Sequence, residues 1–309
     1  MVDSSHKSEL INGAGASGEA HANAKYDRRS LSYANTFDNK LQVTLIRTME
    51  WLTGKITIIR LIRKFERQGS PTGIEFWRAA LDVMGIPLTT PASQIARIPK
   101  TGPVVVVANH PHGLVDGMIL ADLIGRVRDD FRILTRSVLT GIDETASSYL
   151  IPVPFPHDPE AQRKSVEMRA TAMAHLKAGG LVSVFPSGVV ASSETFFGPA
   201  IEAEWNVFTA QMIRRSGATV VPIYFPGSNS RWYQIANKLS ATLRQGLLLH
   251  EIVHSLNKPQ KPVVGEPLTA EQMERLATDP RGFLAWLREH TLALKTKPPQ
   301  RVGTGSSPR

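Results

Sequence analysis

Nine consecutive residues, Asn109-His110-Pro111-His112-Gly113-Leu114-Val115-Asp116-Gly117, put two imidazoles and a carboxylate into one short stretch. A carboxylate on one ring nitrogen of a histidine fixes its tautomer and leaves the other nitrogen to accept a proton. His110 and Asp116 therefore form a candidate general base and its orienter. His112 is a second candidate base, and His110, His112 and Asp116 together could instead ligate a metal in a hydrolase. Farther along, His250-Glu251-Ile252-Val253-His254 has the spacing that sets two imidazoles on one helical face around zinc. There Glu251 would be the base, with Glu266, Glu271 or Glu274 as third ligand. Ser187 lacks the Gly-x-Ser-x-Gly surround that makes a serine a nucleophile.

These groups need elements to carry them. The β-branched run 104–108 predicts a fully buried strand that delivers His110 at its carboxyl end, where ligands bind in open α/β sheets. Pro111 holds His110 extended, and Gly113 permits a tight turn into the helix that carries Asp116. Further apolar runs at 132–135, 181–185, 220–225 and 262–264 read as strands. Helical stretches are expected at 115–126, 159–177, 202–215 and 232–256, with one or two closing helices over 268–295. The expected fold is a single α/β domain, a mixed, largely parallel sheet flanked by helices. It is preceded by an N-terminal amphipathic helical segment.

In that segment Leu41, Leu45, Met49, Leu52, Ile56, Ile59 and Ile62 recur at three- and four-residue steps, with Arg47, Arg60 and Lys64 among the residues between them. Such a basic helix over 41–67, with Trp51 nearby, can bed into an anionic lipid interface or pack on its own domain. A second short helix is expected at 76–84. The division expected is a loose tail over 1–38, a helical membrane-facing segment over 39–85, a catalytic domain over 86–297 and a flexible tail over 298–309.

The chain has 309 residues and a formal charge of +9 from 36 Lys and Arg against 27 Asp and Glu, a balance that favours anionic partners. It lacks the aromatic and zinc-finger patterns of nucleic-acid binding, so no nucleic acid is expected. Cysteine is absent, which excludes disulfides and thiolate metal sites. No run of roughly 18 apolar residues predicts a transmembrane helix, and the opening residues lack a secretory pattern.

Three blocks stand in order along the chain: Asn109-His110-Pro111 through Asp116-Gly117, then Phe185-Pro186-Ser187-Gly188, then Val221-Pro222-Ile223-Tyr224. Together they resemble the glycerophospholipid acyltransferases, the family that includes the lysophosphatidate acyltransferases, and among them the bacterial hemolysin-like branch. The resemblance runs over about 86–267. It implies that His110 deprotonates an acceptor hydroxyl with Asp116 in support, and that the oxygen attacks an acyl-CoA or acyl-carrier-protein thioester directly, without a cofactor or metal. Arg136 resembles the residue that contacts an acceptor phosphate, and Asn109, Gly113, Phe185, Pro186, Ser187 and Gly188 fall in its substrate-binding blocks. Backbone N–H groups around Gly113 or Gly188 would receive the oxyanion.

The chain departs from the family pattern twice. Five residues, not four, separate His110 from Asp116. Ser187-Gly188-Val189 stands where many relatives have Glu-Gly-Thr-Arg, which points to a lysolipid acceptor that can differ from glycerol phosphate, such as a lyso-ornithine type. A peripheral position on the cytoplasmic face of the inner membrane is expected. A non-catalytic lipid-binding protein of the same fold is the alternative without chemistry.

Overall fold

The computed structural model describes residues 32, 34, 39–136, 144–154 and 158–296. The tail expected over 1–38 lies outside them apart from Ser32 and Ala34, both buried, the Ser32 hydroxyl donating to Glu50 at 2.7 Å. The tail expected over 298–309 lies wholly outside.

Among the described residues the chain forms a six-stranded mixed sheet. Its strands are β1 (Val104–Ala108), β2 (Phe131–Arg136), β3 (Leu150–Val153), β4 (Leu181–Val184), β7 (Thr219–Tyr224) and β8 (Val263–Val264), in the spatial order β3-β2-β4-β1-β7-β8. Every neighbouring pair is parallel except β7 with β8. A small antiparallel hairpin, β5 (Ser192–Ser193) with β6 (Ala200–Ile201), stands apart.

β1 is central, and all five of its residues are buried. Its side chains alternate between two cores, as strand geometry requires. Val104, Val106 and Ala108 pack with α3 (Glu75–Val83) and α5 (Leu114–Gly125). Val105 and Val107 face α7 (Ala161–Lys177), α8 (Val207–Ser216) and α13 (Pro280–Ala293). The doubly covered sheet explains why β1 reads as one uninterrupted apolar run.

β3 was not expected: Leu150-Ile-Pro-Val is short, and Pro152 masks the strand signal, but the proline is tolerated because β3 is the sheet's edge. The single helix expected at 232–256 is three: α9 (Arg231–Leu239), α10 (Ala241–Gly246) and α11 (Leu248–His254). Ser240 causes the first break, since its backbone is extended and its hydroxyl caps α10 through the Thr242 N–H. The helix expected from 202 begins at Val207, capped by Asn206, because Glu202 is held elsewhere. Two short helices, α4 (Ala92–Ile95) and α6 (Glu144–Ser148), and the closing α12 (Ala270–Thr278) complete the set.

The N-terminal helix is α1 (Lys40–Glu50) joined to α2 (Ile56–Arg67) by a π-helical turn, Trp51–Lys55. The turn seats Gly54 against α11, where an added Cβ would lie 2.8 Å from the Leu249 carbonyl oxygen. The apolar stripe expected along the whole helix is not one face. Leu41, Leu45, Leu52 and Ile56 are exposed, while Ile59 and Ile62 pack inward beside the core. Ile46, Gly54 and Ile58 form the buried side. The helix therefore packs on its own chain and still presents apolar side chains outward.

Candidate active site

His110 leaves the carboxyl end of β1 and is fixed on every side. Its ring stacks on Phe185 with centroids 4.0 Å apart. Its Nδ1 lies 3.0 Å from Asp116 Oδ2, its backbone N–H donates to Glu202 Oε2 at 3.0 Å, and its carbonyl accepts from Ala191. The extra residue between His110 and Asp116 does not prevent their pairing. Gly113, at φ +77°, reverses the chain, and a Cβ there would stand 3.4 Å from a Val190 methyl. The turn places Asp116 in the first turn of α5, pointing back under the loop.

Asp116 is fully buried. One oxygen accepts from His110 Nδ1, the His112 N–H at 2.7 Å and the Gly113 N–H at 3.1 Å; the other faces His112 Nδ1 at 2.9 Å. Burial alone would raise this carboxyl, but His112 and His110 outweigh it and hold it down at about 2. The ionised carboxylate can only accept, so His110 Nδ1 carries the hydrogen and Nε2 keeps its lone pair.

His112 shares the carboxylate but not the position. Burial lowers its basicity and Asp116 more than offsets this, so its pKa is raised. Its Nε2 is packed against Gly227, where a Cβ would come within 2.7 Å. His110, and not His112, lines the large neighbouring cavity.

That cavity has a volume of about 1150 Å³ and two chemically distinct walls. One is apolar, from α2 and α3: Leu61, Ile62, Phe65, Phe76, Trp77 and Met84. The other carries Arg136, Arg169 and Arg244, and no Asp, Glu or Lys lines the cavity among the described residues. Burial first and Arg244's like charge second pull the Arg136 guanidinium below its ordinary value. Arg136 donates to the Gly188 carbonyl at 3.2 Å, Arg244 to Asn237, and Arg169 lies over the Phe208 ring.

Of the expected substrate-binding residues, Gly113, Arg136, Phe185, Pro186 and Gly188 line this cavity with His110. Asn109 does not: its side-chain amide accepts from the Phe225 N–H and donates to the Phe225 carbonyl, tying the end of β1 to the end of β7. Ser187 also stays outside, its hydroxyl closing a turn onto the Val189 carbonyl. Of the N–H groups around Gly113 and Gly188 that could receive an oxyanion, those two residues' own are engaged, Gly113 with Asp116 and Gly188 with the Phe185 carbonyl. Gly113 and Leu114, at the amino end of α5, line the cavity.

The profile of the acyltransferase family matches residues 45–295, from within α1 to the end of the closing helices. The chain belongs to the acyltransferase family. No curated protein matches the sequence. Among solved structures, the crystal structure of the 1-acyl-sn-glycerophosphate (LPA) acyltransferase of Thermotoga maritima is similar at a TM-score of 0.45 and 16% identity, over 83% of this chain and 95% of that one.

In this acyltransferase the zinc-like motif has another use. The Glu251 carboxylate is buried and accepts from the Ser230 N–H at 2.7 Å and the Ser230 hydroxyl at 2.6 Å, supporting the residue that caps α9. Glu266 pairs with Arg97, and the residues around His250 and His254 form no group of three or more metal-binding side chains among those described. Glu251→Gln, assayed with a strong chelator present, is expected to keep most acyl transfer while losing about 1–3 kcal/mol of stability, because the cap loses a charged acceptor. Thioester consumption and denaturant unfolding measure both. Loss of all transfer under chelation, restored by zinc, would reverse the assignment.

Glu202 and Arg169 were missed in the sequence. Glu202 holds the His110 N–H and also accepts from Trp205 Nε1 at 3.1 Å, yet in Ala-Ile-Glu-Ala-Glu-Trp it reads as a surface residue. Arg169 sits on a polar helix whose apolar periodicity is weak, so no local signal marks it.

Proposed function

We propose that this acyltransferase moves a fatty acyl group from an acyl-CoA or acyl-carrier-protein thioester to the hydroxyl of a lysolipid bearing an anionic group, as a step of membrane lipid synthesis. The supporting observation is the pairing of His110 with an ionised, buried Asp116 beside a cavity that is apolar on one wall and triply cationic on the other. His110 Nε2 takes the acceptor's hydroxyl proton, and the alkoxide oxygen attacks the thioester carbonyl. The C–O bond forms, the tetrahedral oxyanion collapses with cleavage of the C–S bond, and the thiolate leaves and is protonated. Asp116 stabilises the imidazolium between those two proton transfers. The apolar wall suits an acyl chain, and the guanidiniums suit a phosphate or carboxylate.

A lysophosphatidate and a lyso-ornithine lipid both carry such a group, and a phosphate can also come from the donor. Purified protein offered each acceptor, with either acyl-CoA or acyl-carrier protein, separates these sources by product analysis. Arg136→Ala and Arg244→Ala are each expected to raise KM for the anionic partner by about 10-fold or more, as loss of a charge-assisted hydrogen bond implies, with less change in kcat. Equal KM values would remove the two arginines from substrate binding.

We infer further that the protein works peripherally on the cytoplasmic face of the inner membrane, where its substrates would lie. No helix of the described residues is long and apolar enough to cross a membrane. Leu41, Leu45, Leu52 and Ile56 face outward from α1, the π-turn and the start of α2, and exposed Arg47, Arg60 and Lys64 lie on the same helix. Each basic residue near an anionic surface contributes about 1 kcal/mol. Reversing all three to Glu should weaken binding to anionic vesicles and slow transfer to bilayer-embedded acceptor, yet spare a short-chain soluble acceptor. Unchanged sedimentation with vesicles would return the helix to a purely internal role.

A further inference from the structure

The hairpin β5–β6 is attached at both feet to the catalytic histidine. Ala191, just before β5, donates its N–H to the His110 carbonyl at 2.8 Å. Glu202, just after β6, accepts the His110 N–H at 3.0 Å. Between these feet the chain runs out to a tip where Phe196 is 45% and Phe197 81% exposed. Arg231, at the start of α9, donates to the carbonyls of Phe197 and Gly198 at 2.9 Å each, and Ser193 donates its N–H to Gln234 of the same helix. The tip is therefore braced outward, although two aromatic rings in water gain nothing from being held there.

α9 continues the feature. Its outer side shows Trp232 at 68% and, one heptad later, Leu239 at 62%, beside exposed Arg231 and Lys238. No acidic residue occurs between 231 and 244. Aromatic rings with flanking cations are the composition that settles at the headgroup level of an anionic bilayer. A protein partner fits less well. Large aromatic side chains cover about 150–250 Å² each, so four partly exposed side chains fall short of the roughly 800 Å² per partner of a stable interface.

We propose that the Phe196–Phe197 tip and the outer side of α9 form a second lipid-contact surface, which beds into an anionic bilayer interface and holds His110 beside it. This rests on the lysolipid reading of the catalytic cavity. Packing continues from the hairpin through α9 and α10 to α1, where Gln42 donates to Thr242 at 3.2 Å, so the surface and the exposed side chains of α1 border one continuous set of elements.

The chain has no cysteine, so Phe197→Cys introduces a sole thiol for a polarity-sensitive fluorophore. Vesicles containing phosphatidylglycerol are expected to blue-shift this label, while the same label at Glu167→Cys on α7 stays unshifted. A tip label that stays in water while the protein sediments with the vesicles overturns the proposal. So does a shift that appears without vesicles and follows self-association.

The variant Phe196→Ser/Phe197→Ser should bind these vesicles more weakly by about tenfold or more, as expected for losing burial of apolar side chains. Transfer to vesicle-embedded acceptor should fall in proportion, and transfer to a short-chain soluble acceptor should not. An equal fall on the soluble acceptor would make the tip a prop for His110 and overturn lipid contact. A blue shift in a protein that transfers acyl groups to no lysolipid would retain the surface and reject the cavity's reading, which keeps the two failures apart.

Discussion

His110→Ala is expected to lower acyl transfer by about 10²–10⁴-fold, the usual worth of a positioned general base, while leaving the fold intact. The side chain stacks on Phe185 and pairs with Asp116, but it fills no core, and Asp116 keeps its donors from His112 and Gly113 when the ring is gone. Thioester consumption by the two proteins, together with their thermal unfolding, measures chemistry and fold separately. His112→Ala provides the contrast. Its ring is packed against Gly227 and does not line the cavity, so its loss should act through the placement of Asp116 and be the smaller one. Equal rates for wild type and His110→Ala would sink the assignment, and a larger loss at position 112 would transfer the base to His112.

Asp116→Asn should damage both activity and stability. The amide keeps the shape of the carboxylate but turns one acceptor oxygen into a donor, which faces either His110 Nδ1 with two backbone N–H groups or, flipped, His112 Nδ1, and it removes the buried charge in both cases. A buried charged group that loses its complement costs about 3–5 kcal/mol, and the His110 tautomer loses its determinant at the same time. Denaturant unfolding should therefore shift strongly, with transfer near the level of His110→Ala.

The acid limb carries a second signature. Asp116 is held at about 2 against an ordinary 3.8, so its stabilisation is present above pH 3.8 and is lost as pH falls through about 2. The asparagine variant lacks that contribution, and the stability gap between the two proteins should close over this window. An unchanged unfolding midpoint at neutral pH would show that the carboxylate is not integral to the loop.

What the sequence made legible follows the reach of each physical signal. The valine run of β1 and the glycine-bounded turn after it are local, and they located His110, Gly113 and the helix of Asp116 without any knowledge of neighbours. Arg136, expected from the resemblance, ends β2 and lines the cavity. Asn109 stands in the motif but its amide turns to Phe225 and not to the cavity, because the motif shows which residues cluster, while the direction of an amide depends on a strand more than a hundred residues away. That the N–H groups of Gly113 and Gly188 are bonded within their own turns was hidden for the same reason, since a turn's internal bonds are invisible until it is folded. Glu202 reaches His110 across 92 positions, and Glu251 serves Ser230 across α9 and α10. In both, an ordinary-looking glutamate gains its purpose only from tertiary placement. Pro152 shows the converse, where a residue that argues against a strand sits on an edge strand that accepts it.

The π-helical turn at Trp51–Lys55 makes the count of residues there more consequential than their identity. An α-helix advances about 100° per residue, so a segment wound one residue wider per turn changes the phase of everything on its far side. Upstream of the change, Leu41 and Leu45 look away from the chain; downstream, Ile62 and Phe65 look into the cavity. One helix thus serves two environments with a single repeating alphabet of leucine and isoleucine. The wider turn takes up one residue more than an α-helical turn over nearly the same angle, so winding the same residues uniformly as α-helix would swing one half by about 100° against the other. Outward side chains would then turn toward the domain, and inward ones toward water, although no apolar residue had been replaced.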